Sequence, residues 1–335
     1  MSRRRRKQPK PSNKYIHYIF LSLLTILVLS LIYLLLPTLI PRSSNASQTT
    51  VSSQSSSQAS TQNTTTADSN SSSQTSSVNW VKADEPVQIP ILMYHAIHEM
   101  APEEEANANL IVSPAVFESH LQVLEENGYY TLTPEEAYKV LTENVLPQDK
   151  KVVWLTFDDS IWDFYSYAYP LLVKYHMQAT NNVITGFTEN GIEGYLTLDQ
   201  MKEMQANGMS FQGHTVNHPD LEVSSTDDQM SELIQSKNYL DSQLNQETIA
   251  VAYPSGSYSQ DTLNISEQAG YKLGLTTNNG LARLADGLLS LNRVRVLPTT
   301  SAEGLLNEIT PYYPLIDTIL FSNHVLSKGL GFFFL

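Results

Sequence analysis

The chain contains no cysteine in its 335 residues, and this absence excludes several kinds of chemistry. Disulfide bonds, thiolate zinc sites, iron–sulfur clusters and thiol nucleophiles all require a cysteine side chain. Basic residues are also few, since 20 lysines and arginines stand against 34 acidic residues. Residues 1–42 contain eight of these basic residues and no acidic one, so residues 43–335 carry 12 basic and 34 acidic side chains. A domain with this acidic excess repels phosphate backbones, and we therefore expect no nucleic-acid partner.

The longest apolar run lies near the N-terminus. Tyr15–Pro41 comprises 27 positions without a formally charged side chain, and about 20 apolar residues suffice to span a bilayer. The basic cluster Arg3–Lys7 precedes this run and predicts a cytoplasmic N-terminus with an exported remainder. We therefore expect a single-pass protein of the cell membrane whose main domain is extracellular. A cleaved signal peptide is the alternative, but its apolar region would be unusually long and no small-x-small cleavage site follows closely.

A polar tract separates the predicted anchor from the rest of the chain. Of the 37 positions in residues 43–79, 31 are Ser, Thr, Asn or Gln, and Asp68 is the only charged residue. Such a tract buries too little apolar surface to offset the entropy lost on ordering, so we expect a disordered linker. The predicted organisation is a basic cytoplasmic tail (1–14), a transmembrane anchor (15–41), a linker (42–85), a folded domain (86–310) and an atypical C-terminal tail (311–335).

Short apolar runs alternate with amphipathic stretches after the linker. Seven strands are predicted at Ile89–Tyr94, Val152–Phe157, Ala179–Ile184, Met209–Gly213, Ile249–Tyr253, Lys272–Thr277 and Arg293–Leu297. One of the intervening helices is predicted to begin at Ser113-Pro114 and to end at Gly128. Capping boxes are predicted at Thr133–Glu136, Thr197–Gln200 and Thr226–Gln229. Strands interleaved with helices favour a parallel sheet, either open or closed into a barrel.

The strongest chemical signal is a pair of adjacent carboxylates, Asp158 and Asp159. They follow the apolar run Val152–Phe157, which is typical of a parallel strand buried on both faces. Ligands and catalytic residues gather at the C-terminal ends of such strands. Successive side chains leave a strand in different directions, so the two carboxylates can have different roles. A solvated turn or a helix cap is an equally good explanation of this pair on its own.

The second signal is a pair of histidines four residues apart, His214 and His218. On one helical turn this spacing suits two ligands of a single metal, and Pro219 restricts that turn to a loop. Alone the spacing is common by chance. Together with a carboxylate, however, two imidazoles form a site with open positions, typical of Zn²⁺ in hydrolysis. A second carboxylate beside the ligand can act as a general base.

The third signal is the turn Tyr253-Pro254-Ser255-Gly256, which follows the short apolar strand Ile249–Tyr253. Turns of this kind can direct backbone N–H groups into a cleft, where they stabilise an oxyanion. An ordinary loop is the simpler explanation of this turn when it is considered without the other two signals.

The three signals, taken in order, resemble the motifs of the polysaccharide deacetylases, carbohydrate esterase family 4 with its NodB-homology domain. The matching residues are Thr156-Phe157-Asp158-Asp159, His214-Thr215-x-x-His218-Pro219 and Ala252-Tyr253-Pro254-Ser255-Gly256. The segments Pro90–His95 and Gly208–Leu221 resemble a membrane- or wall-associated branch of that family. The resemblance covers roughly residues 88–300.

The resemblance implies a distorted (β/α) barrel of about seven parallel strands that removes N-acetyl groups from GlcNAc-containing polysaccharides. Asp158 would be the general base, and Asp159, His214 and His218 would hold a divalent metal, with Zn²⁺ favoured. The backbone N–H of Ser255 would help to bind the oxyanion. Water activated by the metal would attack the acetamide carbonyl, and the intermediate would collapse to an amine and acetate.

Two departures from the family pattern concern residues that act in catalysis. The family's usual Arg in the third motif is Ala252 here, so Arg293 or Arg295 on a late strand could supply the positive charge, and Arg295 is counted among the candidate catalytic residues. The family's late Leu-x-His, usually the general acid, has no match. His95, which ends the first strand, and His324 are the candidates for that acid.

Three functions remain open on the sequence. The first is a metal-dependent N-deacetylase acting on an acetylated cell-surface or cell-wall polysaccharide. The second is a glycan-binding barrel that has lost efficient chemistry, which the missing acid and Arg would explain. The third is another metallohydrolase such as a phosphoesterase, which the acidic body disfavours. The polymer and the oligomeric state are open.

Overall fold

The computed structural model describes residues 78–310. The predicted anchor Tyr15–Pro41, the polar tract up to residue 77 and the tail from residue 311 lie outside the described residues. Within the described part of the chain, no helix combines the length and the apolar character needed to cross a membrane. The anchor, the disordered linker and the cytoplasmic tail therefore stay predictions.

Seven parallel strands form a closed barrel. We label them β1 (Ile91–Tyr94), β2 (Lys151–Phe157), β3 (Thr180–Val183), β4 (Ser210–Gly213), β5 (Ala250–Ala252), β6 (Leu273–Asn279) and β7 (Leu291–Arg295). Each strand pairs in parallel with the next one along the chain. The ring closes where β7 pairs with β1. Every one of these strands lies within or close to a predicted run, and the α/β barrel of seven parallel strands is confirmed.

Helices connect most of the strands. They are α1 (Pro114–Glu126), α2 (Pro134–Glu143), α3 (Tyr169–Lys174), α4 (Thr185–Glu189), α5 (Leu198–Gln205), α6 (Thr226–Leu244), α7 (Gln260–Gln268) and α8 (Ala302–Ile309). Short 3₁₀-helices occupy Pro102–Leu110, Pro254–Gly256 and Leu284–Asp286, and a π-helix occupies Phe164–Ala168. As expected, α1 begins directly after Ser113, whose side chain accepts a hydrogen bond from the third residue of the helix.

Side-chain caps fix where the helices begin. The predicted capping boxes that start at Thr133 and Thr197 are both present, at the beginnings of α2 and α5. The predicted box at Thr226–Gln229 is wrong by one residue. Ser225 is the N-cap of α6, and its hydroxyl accepts a hydrogen bond from the Asp228 N–H. Both registers offer a hydroxyl followed by a polar residue, so the pattern alone does not separate them.

Several short strands outside the barrel were not predicted. Tyr129–Thr131 extends the sheet beyond β2. The other pairs are Trp80–Lys82 with Val145–Pro147, Gln88–Ile89 with Ala282–Arg283, and Ala96–Ile97 with Ile111–Val112. The sequence predicts a linker up to residue 85, but Trp80–Lys82 is one of these strands, so the folded domain begins earlier than residue 86. These strands have two or three residues each, too few for a period of two to be visible in the sequence.

The alternation of side chains along β2 defines two parts of the core. Leu155 and Phe157 point outward and pack against Phe117 and other residues of the surrounding helices. Trp154 points inward and packs with residues of β5, β6 and β7. Inward and outward positions alternate along the strand, and Asp158 is the first inward position after β2 ends. This residue therefore provides a buried carboxylate at the mouth of the barrel.

Candidate active site

The predicted site residues lie at the C-terminal mouth of the barrel. Asp158 and Asp159 follow β2, His214 and His218 follow β4, and Ser255 follows β5. The carboxyl ends of all seven strands meet at this rim because the strands are parallel. Residues separated by up to about a hundred positions along the chain therefore become neighbours.

Asp159, His214 and His218 converge on one point. The Asp159 Oδ1 lies 3.2 Å from the His214 Nε2 and 3.5 Å from the His218 Nε2. One ligand atom from each of the three residues lies within 4.8 Å of the others. Two imidazole nitrogens and one carboxylate oxygen are the donor set of a hydrolytic zinc site. The residues that are present therefore fit a divalent metal.

The His214 ring is oriented by the neighbouring strand. Its Nδ1 donates a hydrogen bond to the Ala252 carbonyl oxygen at 2.7 Å, so in the neutral ring the lone pair of Nε2 faces Asp159, and only the protonated ring donates to that carboxylate. Burial disfavours the charged ring, but the hydrogen bond to Asp159 and the charges of both aspartates outweigh it and raise the pKa of His214. In His218, burial and the neighbouring His214 lower the pKa. The two carboxylates beside the buried ring thus favour positive charge at this point, which a divalent cation held by Nε2 would supply.

Asp158 is buried beside this cluster and is held as an anion. Its Oδ1 accepts hydrogen bonds from Arg293 Nη1 at 2.9 Å and Asn182 Nδ2 at 2.7 Å, and its Oδ2 accepts one from Arg293 Nη2 at 2.7 Å. Burial alone would raise the pKa of Asp158, but the Arg293 charge and hydrogen bonds hold that pKa well below its usual range. A carboxylate offers about four lone-pair positions, so one position on Oδ2 stays open.

Arg293 supplies the positive charge for which the sequence offers two candidates, Arg293 and Arg295. Its side chain is fully buried, and its Nε donates to the Thr276 carbonyl oxygen at 2.7 Å. Arg295, the candidate favoured on sequence, lies level with Met93 of β1. Arg293 lies one inward position deeper in the barrel, and its long side chain reaches up to Asp158. The choice of Arg295 is therefore corrected to Arg293, since strand register decides which arginine reaches the carboxylate.

Asn182 is a site residue that the sequence analysis missed. It lies on β3, is completely buried, and donates to Asp158. Its neighbour Asn181 is also buried, and within residues 78–310 neither amide atom of Asn181 has a hydrogen-bond partner. Two consecutive asparagines inside a short predicted strand were the available signal. Polar side chains in a strand buried on both faces need a partner, and here the partner of Asn182 is the carboxylate.

His95 and Ser255 lie at the edge of the site. His95 directly follows β1, and the charges of Asp158 and Asp159 act on its ring. Burial is the largest influence and lowers the pKa of His95, although the two carboxylates oppose it. The Ser255 carbonyl accepts a hydrogen bond from Thr277 Oγ1 at 3.2 Å, which fixes the turn after β5. The other candidate acid, His324, lies outside the described residues.

The backbone around the site is strained. Five non-glycine residues have left-handed conformations, with φ of 75° at Asp159, 53° at Ser160, 63° at Thr215, 59° at His218 and 55° at Ser255. Each such residue costs on the order of 1–3 kcal/mol and persists only where its surroundings impose it. Three of the five are residues predicted from the sequence as site residues. Strain concentrated in this way is typical of active sites.

The cluster of candidate metal ligands opens into a cleft of about 580 Å³. Asp159 and His218 line this cleft, together with the aromatic side chains of Trp162, Phe187 and Tyr195. Among the described residues that line this cleft there is no lysine or arginine. Its size is within the range of ligand-binding clefts.

Known proteins share these features. The family model described as polysaccharide deacetylase matches residues 146–274, which include β2 to β5 and the three motif regions. YxkH of Bacillus subtilis (strain 168), a candidate polysaccharide deacetylase, is 40% identical over 225 residues, or 67% of this chain and 77% of YxkH. A poly-beta-1,6-N-acetyl-D-glucosamine N-deacetylase of Staphylococcus aureus (strain MRSA252) is 31% identical over 182 residues, or 50% of this chain and 61% of the relative.

A solved structure of a similar protein has the same fold. The Streptococcus pyogenes deacetylase PplD, determined in complex with acetate, is 62% identical in sequence and superimposes with a TM-score of 0.66. The match covers 68% of this chain and 100% of the PplD chain. The barrel fold is therefore shared with a protein that is named for deacetylation.

Proposed function

Because this chain belongs to the polysaccharide deacetylase family, we propose that it is a metal-dependent N-deacetylase of a GlcNAc-containing cell-surface or cell-wall polysaccharide. The observation that carries the proposal is the convergence of Asp159, His214 and His218 beside the ionised Asp158. The name of the S. aureus relative specifies poly-N-acetylglucosamine, and that name supports the substrate class.

Asp159, His214 and His218 would hold the metal, and Zn²⁺ is favoured by the two imidazoles. A bound divalent cation supplies a Lewis acid that polarises a carbonyl and lowers the pKa of water. The chain's own contribution is the fixed position of its three ligand atoms. His214 is held by its hydrogen bond to Ala252, and the strained backbone holds Asp159 and His218.

Asp158 would accept the proton of the attacking water at its Oδ2. Arg293 and Asn182 fix the carboxylate and keep it ionised at neutral pH, so it is ready to accept a proton. The same contacts make it a weak base. We therefore expect the proton to pass onward rather than to remain on Asp158.

Ser255 and His95 would act on the two ends of the bond that breaks. The Ser255 N–H would donate to the oxyanion that develops from the acetyl oxygen. The departing nitrogen needs a proton to leave as an amine, and His95 would deliver it. Burial lowers the pKa of His95 and favours its neutral ring, so the proton that it gives would be replaced by the one that Asp158 takes from water. The products are acetate and a free amino group on the sugar.

The proposal extends to location. The apolar run Tyr15–Pro41, the basic residues before it and the polar tract after it support a single-pass anchor with the barrel on the outer face of the cell membrane. An extracellular barrel would meet cell-wall and surface polymers directly. The location is tested by protease accessibility of the barrel in intact cells.

Acetate release tests the activity. The full chain in detergent is incubated with oligomers of GlcNAc, first as purified, then after chelation, and then after addition of Zn²⁺. We expect acetate release that is lost on chelation and restored by zinc. A chain that binds zinc and oligomer but releases no acetate would be a glycan-binding barrel, and release of phosphate from phosphate esters would indicate a different hydrolase.

A further inference from the structure

One large aromatic residue of the cleft remains exposed. Trp162 lies three residues after Asp159, lines the same cleft and is 41% exposed. Single exposed apolar side chains are common, but this one lines the same cleft as the candidate metal ligands Asp159 and His218. The π-helix Phe164–Ala168 begins directly after this segment, and π-helical turns are frequent at functional sites.

The position of Trp162 is fixed by its backbone. Its N–H donates to the Gly194 carbonyl oxygen at 3.0 Å, and the preceding Ile161 forms a β-bridge with Tyr195. Its ring contacts Tyr167 edge-on, with ring centres 5.8 Å apart. The indole is therefore exposed and yet held in place, which removes part of the entropy cost of binding a ligand against it.

A clamped imidazole supports the indole. The ring of His98 lies nearly parallel to that of Trp162, with an interplanar angle of 19° and ring centres 6.2 Å apart. The His98 Nδ1 lies 2.7 Å from Asp163 Oδ2, and its Nε2 lies 3.1 Å from the Glu104 carboxylate. Both nitrogens are engaged, so the imidazole cannot rotate freely, and the platform formed with Trp162 is preorganised.

The rest of the cleft suits an uncharged ring with hydroxyl groups. Phe187 and Tyr195 form an aromatic pair whose ring centres lie 4.6 Å apart. Asn107 and Glu193 add polar groups to the lining. Apolar and aromatic walls with a few polar groups are the usual composition of small-molecule sites. A sugar presents apolar C–H faces to stack on aromatic rings and hydroxyl groups to bind amide and carboxylate oxygens.

We propose that Trp162 is the stacking platform of a sugar subsite that binds the pyranose next to the residue being deacetylated. This inference rests on the proposed function and gives it a substrate preference. An oligomer would occupy both the metal centre and the platform, whereas a single sugar could occupy only one of them. The chain would therefore select polymer over monomer.

Binding is measured first, without catalysis. The full chain in detergent carries Asp158→Asn, and calorimetry compares a GlcNAc pentamer with GlcNAc alone. Adding Trp162→Ala is expected to weaken pentamer binding by about tenfold or more, the usual scale for loss of an aromatic anchor. Trp162→Phe keeps a flat ring and should retain most of the affinity. Tyr165→Ala, on the same segment but outside the cleft lining, is the matched control and should bind like the parent.

Activity then separates this inference from the proposed function. In the otherwise unmodified chain, Trp162→Ala should lower the ratio of kcat/KM for pentamer to kcat/KM for monomer by about tenfold. If acetate is never released, the proposed function fails while the binding experiment still decides the role of Trp162. Unchanged pentamer binding in Trp162→Ala, or an equal loss for pentamer and monomer, would overturn the subsite.

Discussion

Asp158 and Arg293 form an ion pair in which the carboxylate is 4% exposed and the guanidinium is fully buried. A buried pair gains little over apolar residues of the same shape, because both charges have lost their hydration. Removing one partner is far more costly, since the other charge stays buried without compensation. The pair is therefore better understood as a device that keeps Asp158 ionised and oriented than as a source of stability.

The first prediction concerns this pair. Arg293→Met should lower the free energy of unfolding by about 3–5 kcal/mol and raise the pKa of Asp158, because burial then acts without its counterion. Urea unfolding at neutral pH measures the change. The double variant Arg293→Met with Asp158→Asn removes both charges and should recover part of the loss. A double variant no more stable than Arg293→Met would show that the pair is not coupled as described.

The second prediction separates the two neighbouring carboxylates. Asp158→Asn should leave the bound metal content unchanged while abolishing acetate release, because Asp158 faces Arg293 rather than the metal ligands. Asp159→Asn and His214→Ala should each reduce metal content and activity together. Metal analysis and acetate release are measured on the same preparations. Loss of metal in Asp158→Asn would place this residue among the ligands.

At the scale of elements, long buried strands were predictable and loop geometry was not. The apolar runs of the seven barrel strands are long enough to be recognised, and the order of motifs along them located the mouth. The register of β7 against β1 and the choice between Arg293 and Arg295 depend on barrel closure, which leaves no local signal. The role of Asn182 likewise depends on a partner 24 residues away in sequence.

The third prediction concerns the turn after β5. Gly256 has φ of 74°, and an added Cβ would lie 2.7 Å from the backbone nitrogen of Thr277. Gly256→Ala should therefore destabilise the chain by more than the roughly 1–2 kcal/mol that a left-handed conformation costs, and it should lower activity by displacing Ser255. Gly128→Ala is the matched control, since Gly128 has φ of 71° but open space around it. Equal losses of stability in the two variants would contradict a packing role for Gly256.

The fourth prediction concerns the 3₁₀-helix Pro102–Leu110, which His98 ties to the barrel through Glu104 and Asp163. Burial lowers the pKa of His98, but its hydrogen bonds to the two carboxylates outweigh this, and the folded-state pKa lies above the usual value. Burial raises the pKa of Asp163. This partly opposes the pairing, because a protonated Asp163 has no charge with which to attract His98. The stabilisation by charged His98 is complete below the unfolded-state pKa, about 6.5, and is lost as pH rises through the folded value.

Hydrogen exchange measures this effect. Amides of residues 102–110 should exchange faster at pH 8 than at pH 6, after correction for the intrinsic rate. In His98→Gln the corrected difference between the two pH values should disappear, while the amides of β2 should show no difference in either protein. A pH dependence that persists in His98→Gln would assign the effect to another group.

For the whole molecule, the decisive property is that the candidate metal ligands come from loops after two different strands. Asp159 and the two histidines are 55 or more positions apart in the chain, so the unfolded chain has no equivalent site. A ligand that binds only the folded state stabilises the entire domain. A closed barrel should transmit this stabilisation to every strand, since no strand of the ring has a free edge.

The last prediction follows from this linkage. Zn²⁺ at a hundred times its Kd should raise the free energy of unfolding by about 2.7 kcal/mol, and a chelator should remove the increase. Thermal unfolding of the full chain in detergent, with and without zinc, measures the shift in Tm. Asp158→Asn should keep the shift, because its ligand set is intact, whereas His214→Ala should lose most of it. A full shift in His214→Ala would mean that zinc binds elsewhere on this acidic surface, and the assignment of the mouth of the barrel as the metal centre would be wrong.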